Sequence, residues 1–598
     1  MVVIVLFSAF VVYMNIQKSK ANDTEIDIFD KNNVNLVIGA ELIQLDNPPI
    51  VKDNEIALPL DTVMTYFDPY ISWDSIDKRV TITTKDKVIR MNTGNLTAFV
   101  NNKETTLNLP AFEEDGVVYI PMKFLKDIYM IDINYIEQNN VVVIDSRNTV
   151  VQVAEIILDG AVLRNGRSKK DPIVKRLDAK ISNEDESEND TEDGNEAENS
   201  SDETLLVFYH YDDWYKARAT DGSIGYIEKK YVAVRMFVDK IALRDNKVDI
   251  WKPDRGKINM TWDLLGSGNP DVNSIPDMPG LDVISPTWFK LANTDGDVTS
   301  IASNEYVEWA HSKGIKVWAL FDNAPGSLSI DETSEFLNNS VARENSIRSI
   351  LAYSAIFGLD GINLDFERMY LSDRDVYTQF VRELAPMLRE QGVLFSVDVN
   401  IPDGSDIWSK CYDSPSIAQV VDYIIVMTYD QHGASSATPG SVAQYSWVEA
   451  NVKKMVERDG IPPEKLILGI PFYSRLWEVE KGNAENSGIL STKAIYMDTA
   501  INMAIENGAS IIWDKSSAQF YCEFDADGKS YIMWIDEMNS INYKTSLVHK
   551  YDLAGTSSWC RIHAHPGVWE VIDRNMKVIE TYRQWEEGNN LKEPLLVG

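Results

Sequence analysis

The chain reads as an α/β protein whose larger part is a (β/α)8 TIM barrel, with two small N-terminal domains, one an α+β repeat and one a β barrel. Three observations predict this. Beyond Asp239, eight apolar β-type runs alternate with helical stretches, which is how a closed parallel barrel is written in sequence. Residues 34–147 contain an internal repeat of a strand, a proline, a helix and a hairpin. The fourth barrel run, "LDGINLDFERM" from Leu359 to Met369, puts Ile362, Leu364 and Phe366 on one face and Asn363, Asp365 and Glu367 on the other. Burying an amide and two carboxylates costs free energy unless they are paired or used. A barrel interior that opens at the strands' C-terminal ends accommodates them.

The eight runs are "KINMTWDLL", "LDVISPTWFKL", "GIKVWALFDN", "LDGINLDFE", "VLFSVDVNIP", "VDYIIVMTYD", "KLILGIPFYSRLW" and "LAGTSSWCRI". Between the seventh and eighth, at about 480–535, a longer gap predicts an α+β insertion, a helix followed by a hairpin. A doubly wound sheet is the alternative, but it does not bring functional residues to the ends of so many strands. The barrel domain is expected over 239–590.

In the repeat, "EIALPLDTVMTYFDPYISWDSIDKRVTIT" matches "VVYIPMKFLKDIYMIDINYIEQNNVVVID", with Pro59 and Pro121 at equivalent places. An Asn-Asn turn at Asn101 sits between the halves. A second unit over 149–234 is strand-rich. It is interrupted over 182–204 by an acidic run, "EDESENDTEDGNEAENSSDE", in which eleven of twenty residues are acidic and none basic. Such a run buries no core and is expected to be disordered. Residues 1–20 open on "MVVIVLFSAFVVYM" followed by Lys18 and Lys20. We read them as a signal peptide or membrane anchor, which places the rest outside the membrane, secreted or at the cell surface.

A formal charge of −35 argues against nucleic acid, whose phosphates need a basic surface. A neutral ligand fits better. Three cysteines form no framework and no CxxC pair; no metal or cofactor is expected, the pair His563 and His565 lacking a carboxylate pattern. Thirteen of the fifteen tryptophans lie at or after Trp251. Several of them, Trp262, Trp288, Trp318, Trp477 and Trp559, fall near strand ends, where flat rings offer large apolar contact at low entropy cost.

Three resemblances follow from these residues. The repeat is similar to the domain named after the N-terminus of copper amine oxidases, without implying copper. The second unit resembles a bacterial Src-homology-3-like domain, through Trp214-Tyr215 and Gly225-Tyr226-Ile227. The pattern D-x-x-D-x-D-x-E on the fourth strand, here Asp360, Asn363, Asp365 and Glu367, with "MTYD" and "SSW", resembles glycoside hydrolase family 18, over roughly Ile258 to Ile572. Within it the chain looks closest to the branch of spore-cortex hydrolases acting on peptidoglycan. The resemblance implies a retaining glycosidase that cuts β-1,4 bonds at N-acetylglucosamine, in peptidoglycan or else in chitin-type oligosaccharides. It implies Glu367 as general acid and base, and Asp365 and Tyr429 on the substrate's acetamide, which itself attacks the anomeric carbon. Asp360 and Asn363 support them. Asp430, Trp559, Gln431, Tyr473, Arg475 and Trp288 are the expected substrate-binding residues. Where many chitinases have a third aspartate this chain has Asn363, which is expected to donate to Asp365, keep it ionised and remove the coupled titration of adjacent carboxyls. The rival reading is a barrel that binds wall carbohydrate without cutting it.

Overall fold

The computed structural model describes residues 21–147, 150–178, 204–239, 250–323, 328–480 and 488–589. The expected signal or anchor segment and most of the acidic run lie outside them. The chain divides into two compact units, the first built from most residues up to Lys247 and the second mainly from Val248 onward.

In the first unit the repeat is visible as structure. Strand Glu55–Pro59 leads into helix Leu60–Tyr66, and strand Val117–Pro121 into the shorter helix Met122–Leu125. The two proline-ended strands pair antiparallel, Pro59 opposite Tyr119 and Ala57 opposite Pro121. Each proline occupies the helix N-cap, where no N–H is lost from the helix. Strands Thr97–Val100 and Lys103–Thr106 form the hairpin turned by Asn101, at φ 53°. The following domain is a seven-stranded sheet running from Ile173–Leu177 to Val232–Asp239. Within the same unit, Arg218 of this sheet grips Asp145 of the repeat with two hydrogen bonds of 2.9 and 2.7 Å. Such a bidentate pair fixes orientation as well as charge.

The second unit is the barrel. Its strands are β1 (Ile258–Asp263), β2 (Val283–Pro286), β3 (Lys316–Asp322), β4 (Gly361–Asp365), β5 (Leu394–Asn400), β6 (Tyr423–Met427), β7 (Leu466–Pro471) and β8 (Gly555–Trp559). Neighbours pair parallel throughout, β8 returns to β1, and Val283 opposite Lys316 joins β2 to β3 and completes the ring. Two apolar cores result. Outside the ring, the outward residues of the strands pack on the helices; Phe366, fully buried, is surrounded by Phe321, Phe336, Tyr377 and Phe380 at centroid distances of 5.2 to 6.1 Å. Inside it, Met260, Trp262, Trp318, Leu320, Tyr423 and Ile425 fill the lower barrel. Gly361 belongs to this filling, because a Cβ there would stand 2.6 Å from the Trp318 ring.

The insertion differs in extent from its reading. The run "KLILGIPFYSRLW" is two strands, β7 and then Tyr473–Val479, so the inserted sheet begins at Tyr473 and not near 480. It is five-stranded and antiparallel, ordered Ile489–Tyr496, Tyr473–Val479, Lys529–Ile535, Gln519–Ala526, Ser510–Asp514, with helix Met497–Glu506 packed on it. The stretch read as a hairpin, "SIIWDKSSAQFYCEFDADGKSYIMWID", holds three strands, and "KAIY", read as the start of the helix, ends the strand Ile489–Tyr496. Ser510–Asp514 and Ile489–Tyr496 are the two edge strands of the sheet.

Candidate active site

Strand register brings three aspartates into one layer near the barrel mouth. Asp322 at the end of β3 stands opposite Asp365 at the end of β4. Asp398 on β5 follows the Leu364–Val397 pair by one residue, which sets it beside Asp365. Just above them is Glu367, in the turn that leaves β4. Its backbone is clamped, since Asn323 Oδ1 accepts the Glu367 N–H at 2.9 Å and Asn323 Nδ2 donates to the Glu367 carbonyl at 3.0 Å. The Tyr412 hydroxyl donates to the Phe366 carbonyl at 2.7 Å. The backbone that carries the Glu367 carboxyl is thereby tied to the end of β3 and to the segment after β5.

Around these groups lies a pocket of about 180 Å³, lined by Trp262, Asp365, Glu367, Asp398, Met427, Tyr429, Asp430, Tyr473 and Trp559. Trp559 ends β8, is half-buried, and meets Trp262 edge to face at 5.8 Å. Tyr429 packs edge-on against Trp262 and Tyr473. Asp430 stands at the rim with its side chain 53% exposed, its Oδ1 accepting from the Tyr473 hydroxyl at 2.7 Å and from Arg475 at 3.3 Å.

The electrostatics follow from burial among like charges. Burial, with Asp430 and Asp322 adding, pushes the Glu367 carboxyl up to about 7, against a smaller opposing pull from Arg368. Asp365 and Asp398 are also pushed well above the ordinary carboxylate range, both first by burial; Glu367, Asp398 and Asp322 add to the rise at Asp365, and Glu367 adds to that at Asp398 against the opposing hydrogen bond from Asn363. Asp365 Oδ1 and Asp398 Oδ2 are buried without a hydrogen-bond partner among the described residues. A buried oxygen lacking a donor is costly, and here two of them belong to the cluster that lines the pocket.

The expected role of Asn363 is corrected. Its amide does not reach Asp365: Nδ2 donates to Ser396 Oγ at 3.1 Å and to Asp398 Oδ1 at 2.8 Å, while Oδ1 accepts from Trp262 Nε1 at 2.8 Å and Ser285 Oγ at 3.2 Å. Asp365 is instead pushed above the ordinary carboxylate range by burial and by neighbouring carboxyls, one of them Asp398. That residue had been missed. The signal was available in "VLFSVDVN", where Ser396, Asp398 and Asn400 alternate with Phe395, Val397 and Val399 as β4's residues do.

Other expected residues separate. Asp360 lies before the first residue of β4, at the opposite end from the pocket, held by Lys316 at 2.8 Å, His311 at 2.8 Å and the Val317 N–H at 2.9 Å. It stabilises the barrel base and is no part of the pocket. Trp288 is corrected to core: 1% exposed, it donates to Asn269 at 2.7 Å and meets Tyr306 edge-on. Trp318 and Trp477 are likewise fully buried and do not line the pocket, whereas Trp559 and Trp262, the latter itself only 1% exposed, do. Gln431 accepts from the Gln444 N–H at 3.0 Å, bracing the loop behind Asp430 without lining the pocket. Arg475 acts through Asp430. His563 stacks on Tyr496 at 4.4 Å, and burial lowers its imidazole to about 4.

Comparison with known proteins agrees with this architecture. Residues 285–562 match the model of glycosyl hydrolases family 18, and residues 37–144 that of the copper amine oxidase N-terminal domain. Relatives include the uncharacterized glycosylase YvbX of Bacillus subtilis, 25% identical over 47% of this chain and 81% of its own. Another is the cortical fragment-lytic enzyme of the same organism, 24% identical over 46% of this chain and 63% of its own, so the match spans under two thirds of that relative. A chitinase structure from Chromobacterium violaceum is 21% identical, covers 53% of this chain and 98% of its own, and superposes with a TM-score of 0.47. Residues 285–562, which hold most of the barrel, thus form a glycosyl hydrolases family 18 domain.

Proposed function

We propose that the protein is a retaining glycosidase that hydrolyses β-1,4 linkages at N-acetylglucosamine by substrate-assisted catalysis, with peptidoglycan as its substrate. The observation that carries the reading is Glu367: a carboxyl raised to about 7 by burial, at the wall of a sugar-sized pocket floored by Trp559. At neutral pH it is poised both to give and to take a proton. Glu367 protonates the leaving glycosidic oxygen. The substrate's 2-acetamido oxygen attacks the anomeric carbon, and the resulting oxazolinium is opened by water that Glu367 deprotonates. Asp365 offers its unpartnered Oδ1 to the acetamide N–H, and as that bond forms the anionic carboxylate becomes the favoured state beside the developing positive charge. The Tyr429 hydroxyl donates to the acetamide oxygen. Asp430, held by Tyr473 and Arg475, receives a sugar hydroxyl.

Peptidoglycan is favoured by the chain's similarity to a cortical fragment-lytic enzyme and by the small domains ahead of the barrel, which we propose attach the protein to the wall outside the membrane. The test is turnover of a fluorogenic N-acetylglucosaminide by the full chain and its Glu367→Gln variant. Turnover that the variant loses supports the enzyme; sugar binding with no turnover by either protein supports a binding protein instead. Parallel digestion of muropeptide glycans and chitin oligomers decides the substrate, and new reducing ends from chitin alone would defeat the peptidoglycan assignment.

A further inference from the structure

Next to the general acid in the chain, an exposed cation stands by an exposed indole. Arg368 directly follows Glu367, in the left-handed region at φ 53°. Its guanidinium carbon stands 5.9 Å from the ring centroid of Trp408, within cation–π range. Trp408 is 37% exposed, on the loop 401–413 that follows β5. That loop is anchored against the turn after β4 by the Tyr412 hydroxyl on the Phe366 carbonyl, so Trp408 and Arg368 are carried by two segments fixed to each other.

The charges around them are already matched. Asp403 pairs with Arg458 and Lys454, Asp406 with Lys410 at 2.9 Å, and Asp413 with Arg374 at 3.3 Å. Arg368 has no ion pair among the described residues. In a chain of net charge −35, an exposed arginine outside any ion pair among the described residues, next in sequence to the general acid and acting on it electrostatically, is conspicuous. The general acid touches the oxygen that joins the cleaved sugar to the leaving one, and Arg368 is its neighbour in the chain.

We propose that Arg368 and Trp408 form a subsite for a leaving-group sugar that carries a carboxylate: the indole takes the pyranose face and the guanidinium the acid. In a glycan of alternating amino sugars, this selects a residue bearing a 3-O-lactyl acid over plain N-acetylglucosamine. The inference deepens the proposed function and rests on it, because it assigns the sugar on the far side of the bond that Glu367 is proposed to protonate.

Binding to the full-length Glu367→Gln protein tests it apart from turnover. The probes are a tetrasaccharide of alternating N-acetylglucosamine and N-acetylmuramic acid, the same tetrasaccharide with its lactyl carboxyls methyl-esterified, and chitotetraose. The free acid is expected to bind about fivefold tighter than the ester, the scale of an exposed arginine–carboxylate pair. Adding Arg368→Gln should bring acid and ester to equal affinity, Arg368→Lys should restore part of the difference, and Trp408→Ala should weaken both probes together. Equal binding of acid and ester before Arg368 is changed, an acid preference that survives Arg368→Gln, or no binding of the tetrasaccharides would each overturn the proposal. Failure of the family mechanism shows elsewhere, as absent turnover by the unmutated protein.

Discussion

Asp360 and Asp365 stand at opposite ends of β4, and the surroundings of each decide what it can do. At the base, burial raises the Asp360 carboxyl, but Lys316, the Val317 N–H and His311 outweigh it and hold the group below the ordinary range. Asp282 and Asp422, just before β2 and β6, also receive backbone N–H groups, at 2.7 and 2.9 Å, and Asp282 pairs with Lys577, although burial leaves both carboxyls above the ordinary range. At the mouth, no lysine or arginine among the described residues is hydrogen-bonded to Asp365 or Asp398; each keeps an oxygen orphaned among those residues, and both rise. The same residue type is therefore a fastener at one end and a reactive group at the other. Unpaired burial marks the chemistry, because a fold gains nothing from it.

Breaking this contrast at its reactive end has the largest effect. Glu367→Gln removes the proton donor and should lower kcat by about a thousandfold, within the range of general acid–base catalysis, measured on the fluorogenic substrate. The same variant should be the more stable protein. A carboxyl raised in the folded state holds its proton longer than in the unfolded chain. Its stabilising contribution is complete below about 4.5 and is lost as pH rises through about 7, a loss of about 3 kcal/mol. Denaturant midpoints above pH 7 should favour Glu367→Gln, and the two proteins should converge at pH 4.

Phe366→Ala strikes the outer face of the same strand. It empties a space enclosed by four aromatic rings and should cost about 3–5 kcal/mol of stability, read from urea unfolding.

Asp398→Asn sharpens the contrast from within. It removes one carboxyl from the layer, so Asp365 should titrate lower and the pH–rate profile should shift while the fold persists. An unchanged profile would remove Asp398 from the coupled set.

The smallest effect belongs to the fastener. Asp360→Asn should leave kcat intact and reduce stability by about 1 kcal/mol near neutral pH. Because the folded Asp360 lies below its unfolded value, that difference should vanish as pH falls through the folded value.

How far the sequence discloses this depends on what each residue answers to. The barrel was legible because strand and helix periods alternate, and the inward polar face of β4 because period two is unambiguous. Glu367, Asp365, Tyr429, Asp430, Tyr473 and Trp559 come together around one pocket, as their places at strand ends suggest. Trp288 was not separable from these, since a strand-end tryptophan can turn toward the helices as readily as toward the mouth. Asn363 was misassigned because its partners, Trp262, Ser285, Ser396 and Asp398, come from three other strands. Register between strands decides such contacts, and one strand's pattern does not carry it.

The protonation of Glu367 is the claim on which the rest depends. Its carboxyl can be followed directly by carbon NMR in protein labelled at the glutamate side chains, with Glu367→Gln identifying the signal. The account predicts a midpoint near 7; a midpoint at or below the ordinary glutamate value of about 4.3 would contradict it.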